Sequence, residues 1–288
     1  MTSSSQPLYD DLWDFNQPEV SERRFEEKFA EIPHDNGEAH LQLLTQIARA
    51  QGLQRQFDEA HHTLDDVAAA LADSASVARI RYWLERGRVL NSSGHPEMAR
   101  PFFVDALAAA QAQGEDFYAV DAAHMLGIVT PPEEQLEWNM RAMQMAESSP
   151  SPYAQRWLGS LYNNIGWTHH NLGNYAEALR LFQQGVEWWQ HRDPPQPDRL
   201  HVARWTVART LRSLKRHTDA LTILHDLEGA NDGYVDEEIG ENLLEQGDSA
   251  RAAPFFAKAY QALSGDIWLQ VNEAARLERL RALSQRPT

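Results

Sequence analysis

Apolar residues recur along this chain at intervals of three and four, the period of a helix that buries one stripe. Leu41, Leu44, Ile47 and Ala48 form one such run, and Leu181, Val186 and Trp189 form another. Alanine is abundant and β-branched residues rarely cluster. The most strand-like stretch, 220–224 (ALTIL), runs into a helical spacing in which Leu221, Leu224 and Leu227 share a face. The pattern predicts helix nearly throughout and no strand. It is interrupted at 32–37 (IPHDNG), 73–76, 91–96 (NSSGHP), 130–133 (TPPE), 148–152 (SSPSP), 171–174 (NLGN), 193–198 (DPPQPD), 229–233 (GANDG) and 264–266. Each interruption holds Pro, Gly, Ser, Asp or Asn, which stop one helix and cap the next. Helices of roughly 14 to 20 residues joined by short turns remain, the layout of stacked helical hairpins.

Composition narrows the function classes. With 42% apolar residues and 15 glycines the chain can bury a core. It has no cysteine, which excludes a disulfide framework, a thiolate zinc site and a cysteine nucleophile together. The start, MTSSSQPLYDDLWDFNQP, places Asp10, Asp11 and Asp14 where a secretory signal needs basic and then apolar residues. No run approaches the roughly 18 uninterrupted apolar residues of a membrane helix. A formal charge of −16 repels nucleic acid and anionic lipid at long range. The expectation is a cytoplasmic protein with neither a nucleic-acid nor a membrane partner.

The clearest unit is 162–189, YNNIGWTHHNLGNYAEALRLFQQGVEWW. It has Tyr162, then Ile165 and Gly166, a turn at Leu172 and Gly173, Tyr175, and then Ala178, Phe182 and Gly185. This resembles the tetratricopeptide repeat, a pair of antiparallel helices with small residues where they approach and aromatics beside them. The spacing recurs at Trp83, Gly87, Leu90, Ala99, Phe103 and Ala106, and again at Leu44, Ile47, Ala48, Phe57, Ala60, Leu64 and Val67. Leu126, Gly127, Met143 and Ala146 make a weaker copy, with Asn139 in the place of the second-helix alanine and Pro131-Pro132 interrupting early. Val207, Ala208, Leu211, Ala220, Leu224 and Leu227 form a fifth, and Ile239, Gly240, Leu243, Gly247, Ala252, Phe256 and Ala259 a sixth. The ruler positions Ala60, Ala99, Asn139, Ala178, Ala220 and Ala252 give steps of 39, 40, 39, 42 and 32. The ordinary family step is about 34. The resemblance is therefore to the extended repeats of about forty residues found in bacterial peptide-sensing regulators and kinesin light chains.

The resemblance implies an all-α, right-handed superhelical solenoid of about six hairpins over residues 41–263, with caps at either end. Residues 1–40 are expected to form an acidic tail and an opening helix, 19–31, that turns Phe25 and Phe29 inward. Residues 264–288 are expected to close the array with one helix, 267–283, whose Trp268, Val271, Ala275, Leu277 and Leu280 share a side.

Proteins of this family bind other proteins or peptides, so the resemblance implies a protein–protein interaction scaffold with no catalytic residue and no cofactor. The sequence has no GxxxxGK[ST] loop, no HExxH and no GxSxG. Adjacent acids such as Glu26 and Glu27, or Asp65 and Asp66, diverge by about 100° around a helix and do not form an acid/base pair. The neighbouring pairs His61-His62 and His169-His170 lack the three- or four-residue spacing of a helical metal pair.

In the family the first helix of each repeat lines a concave groove. Carried over, this points to Arg49 in the first copy, Arg81 and Arg88 in the second, Asn163 and Trp167 in the fourth, and Trp205, Arg209 and Arg212 in the fifth. Five arginines face a single acid, Asp121, along the first five copies. Arginine forks grip carboxylates and tryptophan supplies area, so an acidic segment with an aromatic or aliphatic anchor is one candidate ligand. The competing reading lets arginines of 199–216, a stretch without acids, pair with the nine acids of 226–248, while Trp205 packs between helices.

The tail has the composition just described for a ligand: between Asp10 and Glu38 lie ten acids and three bases, interleaved with aromatics at its start. It either enters its own groove or a neighbour's, or forms an amphipathic cap with Leu8, Leu12 and Phe15 on one face. No helix-turn-helix domain is expected before residue 41. The alternative to a scaffold is a peptide- or small-molecule-responsive sensor acting through oligomerisation, and the sequence leaves a homo-oligomer open.

Overall fold

The computed structural model describes residues 7–33, 37–71, 76–229 and 232–285, and the expected break at 73–76 falls largely outside them. Among the described residues the regular structure is helical. The chain forms two compact units, 1–161 and 162–288.

Unit 1 holds Pro18–Glu31 (α1), Gly37–Leu53 (α2), Phe57–Ala70 (α3), Val77–Ser92 (α4), Pro96–Gln113 (α5), Asp116–Val129 (α6), Pro132–Ser148 (α7) and the single turn Pro152–Gln155 (α8). Helix Leu158–Asn171 (α9) carries the boundary. Unit 2 continues with Tyr175–Gln190 (α10), Pro197–Ser213 (α11), His217–His225 (α12), Gly233–Glu245 (α13), Ser249–Leu263 (α14), Ile267–Asn272 (α15) and Ala274–Ser284 (α16). Sequential helices pack as hairpins, and the first helices of successive hairpins also touch, α2 on α4, α4 on α6 and α11 on α13.

One contact recurs in the hairpins. The eighth residue of each second helix lies on a small residue of the first. Phe103 covers Gly87, Phe182 covers Gly166 and Phe256 covers Gly240; a Cβ added at those glycines would meet the rings at 2.6, 2.6 and 2.9 Å. In the first and fifth hairpins the aromatic–glycine pair is replaced by Leu64 with Ala48 and Leu224 with Ala208, all fully buried. Larger side chain and smaller partner change together, as close packing requires.

The third hairpin departs from the expected register. There the residue against the small position Gly127 is Asn139, 2.7 Å from the site of an added Cβ. Asn139 is the eighth residue of α7 and so holds the place of the phenylalanine, not of the alanine; the ruler residue is Gln135. The small residue and the eighth position are sixteen apart elsewhere (103 − 87, 182 − 166), but twelve here (139 − 127). The missing turn has a local cause. Thr130 precedes Pro131 and is extended at ψ 160°, as a residue before proline prefers, so α6 stops early. Pro132 then starts α7 at the position where its missing N–H is harmless. The steps become 36 (135 − 99) and 43 (178 − 135), and α8 fills the longer one.

Both ends depart in part from expectation. Helix α1 buries Phe25 completely against Leu43 and Ile47, with Phe29 beside them. Ahead of it, among the described residues, there is no amphipathic helix. Residues Asp10–Leu12 make one 3-10 turn, entered through Tyr9 at φ 71°, and Leu8 and Phe15 are exposed. The closing helix is broken at Glu273 into α15 and α16. Leu269, Leu277, Leu280 and Leu283 are buried, while Trp268, Val271 and Ala275 face solvent. Asp266 caps the N–H groups of Trp268 and Leu269, fixing the start of α15. The break at Glu273 then divides the apolar stripe between two short helices.

Gly166→Ala and Gly87→Ala are expected to destabilise the protein by about 1–3 kcal/mol through overpacking, whereas Gly265→Ala, with open space around its Cβ, stays within about 0.5 kcal/mol; chemical denaturation measures both. A second expectation concerns His124, whose Nδ1 lies 3.1 Å from Asn139 Oδ1. Burial lowers its pKa, as it does for His61 and His170. The folded chain thus binds fewer protons than the unfolded one, and stability falls as pH drops below the ordinary imidazole value of about 6.5. Thermal melts from pH 7 to pH 6 should show this fall, and His124→Gln should make it shallower.

Candidate ligand-binding faces

In unit 1 the first helices bring Arg49, Arg81, Glu85, Arg88 and Asp121 together. On α4, the spacing of four and three puts Arg81, Glu85 and Arg88 on one face. Arg88 lies between two buried carboxylates, 2.5 Å from Glu85 and in direct contact with Asp121. Burial alone would lower its pKa, but Asp121 and Glu85 override it and raise the value. Arg49 is 3.7 Å from Glu85, and burial together with nearby Arg88 lowers its pKa. Arg81, only 3% exposed, has no carboxylate within salt-bridge distance among the described residues. Its guanidinium donates instead to Gln42 Oε1 at 3.2 Å and Leu8 O at 2.9 Å, and lies 5.8 Å from the Tyr118 ring.

Leu8 belongs to the tail, and the tail lies on this face. Trp13 Nε1 donates to Gln46 Oε1 at 3.0 Å, and the Tyr9 hydroxyl donates to Ala39 O at 3.4 Å. Trp13 and Phe15 stack in parallel, centroids 4.7 Å apart, and the Arg49 guanidinium sits 5.4 and 5.3 Å from their rings. Such placement is favourable for a cation on an aromatic face. Asp10 pairs with Arg156 at 3.2 Å. Burial raises the Asp10 carboxyl above its ordinary pKa, with Arg156, Arg81 and Arg49 pulling it back.

In unit 2 the corresponding face is aromatic. Trp167, Trp205 and Tyr234, from α9, α11 and α13, form a ladder with centroids 6.1 and 6.4 Å apart. All three keep part of their surface exposed. Trp205 Nε1 donates to Tyr234 O at 3.1 Å, and Arg276 lies 5.1 Å from the Tyr234 ring. Half-buried Asn163 contacts Asn164 at 3.3 Å. Arg212 binds the buried Glu238 and reaches Glu245 at 2.7 Å. Burial lowers its pKa but the Glu238 contact prevails, so the net shift is upward. Arg209 is less engaged, with Ser213 Oγ at 3.0 Å and Glu238 at 3.5 Å, and burial lowers its pKa. Arg204 pairs with Asp226 at 2.8 Å.

All eight residues expected from the sequence therefore sit on first helices, but they do not form one basic strip. In unit 1 Arg49 and Arg88 meet Glu85 and Asp121 while Arg81 bonds Gln42 and Leu8, and in unit 2 Arg209 and Arg212 meet Glu238 and Glu245. Glu85 could have been found from its spacing to Arg81 and Arg88. Arg156 could not, because it follows the extra turn α8, outside the repeat pattern. Among the described residues no His, Asp and Glu group is arranged to hold a metal ion, and no helix is long and apolar enough to cross a membrane.

Known proteins bear on this architecture. The tetratricopeptide repeat family matches residues 158–190. No curated protein matches the sequence. Among solved structures, a signal transduction ATPase with numerous domains from Pyrococcus horikoshii, with a tetratricopeptide repeat sensor, is similar at a TM-score of 0.71 and 13% identity. The match covers 92% of this chain and 42% of that one, so this chain spans less than half of that protein's length. The apo form of RapI is similar at a TM-score of 0.71 and 11% identity, over 93% of this chain and 77% of that one. Kinesin light chain TPR-like repeats from Podosopora anserina are similar at 0.52 and 16% identity, over 66% and 94%.

Asp121→Asn is expected to cost about 3 kcal/mol, because it removes one partner of a buried pair, while Arg204→Ala, whose partner Asp226 is largely exposed, should cost under about 1 kcal/mol. Urea denaturation of the two variants makes the comparison. The family match covers one repeat, 158–190, and the likeness to a solved tetratricopeptide repeat sensor extends the same hairpin fold over most of the chain.

Proposed function

We propose that this chain is a non-enzymatic scaffold that binds a segment of a partner protein along its first-helix faces. The observation carrying this reading is the ladder of Trp167, Trp205 and Tyr234. Aromatic rings on successive first helices, each partly exposed, supply the anchors that concentrate binding energy in protein interfaces. Arg209 lies one turn beyond Trp205 on the same helix, with its nearest carboxylate at 3.5 Å, so it retains donor capacity for an acceptor on the ligand. The paired Arg212 instead holds α11 to α13 and shapes the face.

The family resemblance supports the same reading, since tetratricopeptide repeats mediate protein–protein interaction. A sensor role, suggested by the likeness to a tetratricopeptide repeat sensor and to RapI, uses the same face and differs in coupling ligand binding to assembly. The test is affinity capture from a native extract, with bound protein identified by mass spectrometry. The combined Trp205→Ala and Arg209→Glu variant, folded by circular dichroism, is expected to lose the captured partner by at least about tenfold, equivalent to 1.4 kcal/mol or more. Undiminished capture sinks the reading.

A further inference from the structure

The tail meets the unit 1 face at Arg81. With the tail in place Arg81 is enclosed, and its hydrogen-bond acceptors are the side-chain oxygen of Gln42 and one carbonyl of the tail. An enclosed guanidinium is tolerated where acceptors are present, and the tail's contribution is Leu8 O. From that point the tail makes further contacts of distinct kinds, among them the Asp10 carboxylate on Arg156, the Trp13 indole on Gln46, and the Trp13–Phe15 stack against Arg49. Charge agrees with this placement. Among Arg49, Arg81, Glu85, Arg88 and Asp121 there are three positive groups and two negative ones, and Arg156 adds a fourth positive group where Asp10 arrives.

Part of the tail belongs to the opening core, where Tyr9, Leu12 and Trp13 pack against Phe25, Leu43 and Ile47. The tail's structure is one 3-10 turn, and Phe15 remains 58% exposed although it stacks on Trp13. Trp13 meets Phe25 edge-on at 4.9 Å and so does contribute to the opening core. Asp10 and Phe15, by contrast, contact the face without entering a core cluster.

We propose that residues 7–15 are an intramolecular ligand of the unit 1 face, and that the partner accepted there is a protein segment of the same chemistry, which displaces them. That chemistry is an aspartate followed after three residues by tryptophan and after five by phenylalanine. This rests on the scaffold reading above and specifies its ligand. The tail is a competitor held at high local concentration, so an external segment binds only when it outcompetes a tethered copy of itself.

The probe is a fluorescent peptide with the sequence of residues 7–17 (PLYDDLWDFNQ), titrated by anisotropy against the full chain. In the full chain carrying Asp10→Arg and Phe15→Ser, affinity for the peptide is expected to rise at least about tenfold over the unaltered chain. A scrambled peptide of equal composition should not bind, and adding Arg49→Ala should reverse the gain. Equal binding to both chains, or equal binding of the scrambled peptide, overturns the proposal. Sedimentation reports the other occupant: a dimer that becomes monomeric in the variant assigns the tail to a second copy and overturns the intramolecular assignment.

A second measurement needs no variant. In the 15N-labelled unaltered chain, excess unlabelled peptide should accelerate amide exchange at Asp14, whose N–H donates to Ser21 Oγ at 2.7 Å in the docked tail. Unchanged exchange at saturating peptide counts against displacement. The two readings separate cleanly, because a peptide that fails here while Trp205→Ala with Arg209→Glu still abolishes partner capture removes this inference and leaves the scaffold standing.

Discussion

The fold depends on how closely two helices can approach, and that is set where a phenylalanine ring lies on a glycine. At Gly87, Gly166 and Gly240 the ring occupies the volume that a Cβ would need. Close approach lets each second helix fill behind the first, so the apolar stripe of the first helix is consumed by its hairpin partner and its neighbours. What remains on the outer side of α2, α4 and α6, or of α9, α11 and α13, is free to be polar or aromatic. Where leucine replaces the ring and alanine the glycine, as at Leu64 with Ala48 and Leu224 with Ala208, the pair is again fully buried. The character of these first-helix faces is thus a consequence of packing on the opposite side of the same helices.

The third hairpin shows what happens when that contact is chemically altered. Asn139 occupies the aromatic place, and its Oδ1 meets the half-buried His124 at 3.1 Å, so a polar pair replaces a ring in this hairpin. The amide nitrogen of Asn139 donates to Gln135 O, one turn back in α7. A buried polar group is tolerated when its hydrogen bonds are met, and here both ends of the amide are. The same hairpin is a turn shorter because two prolines end α6 early. Geometry and chemistry change together at this one place in the array.

Sequence periodicity was sufficient for the helical hairpins because each strong copy carries a small residue, an alanine and an aromatic at fixed intervals. It misplaced Asn139 because a fixed interval was assumed where Pro131 and Pro132 remove a turn. It joined α15 to α16 because Trp268 and Val271 have helical spacing with Ala275 and Leu277, although the chain bends at Glu273 and leaves the first two in solvent. The faces were only half legible. Counting arginines at every third or fourth position found Arg49, Arg81, Arg88, Arg209 and Arg212, but the charge they leave available depends on carboxylates one step around the helix or one hairpin away. Glu85 was within reach of spacing arguments; Glu238 facing Arg212 needed the pairing of α11 with α13.

The net charge of −16 therefore says little about either face. In unit 2 the acids of α13 neutralise the arginines of α11, and aromatic area is what the face has to offer. Unit 1 differs because Arg81 has no carboxylate of its own. Its guanidinium, enclosed with the tail in place, takes its acceptors from Gln42 and from Leu8 O of the tail. The tail's aspartate and stacked aromatics add contacts to Arg156 and Arg49. A segment that displaced the tail would have to supply an acceptor to Arg81 and replace the aromatic contact that the tail makes over Arg49.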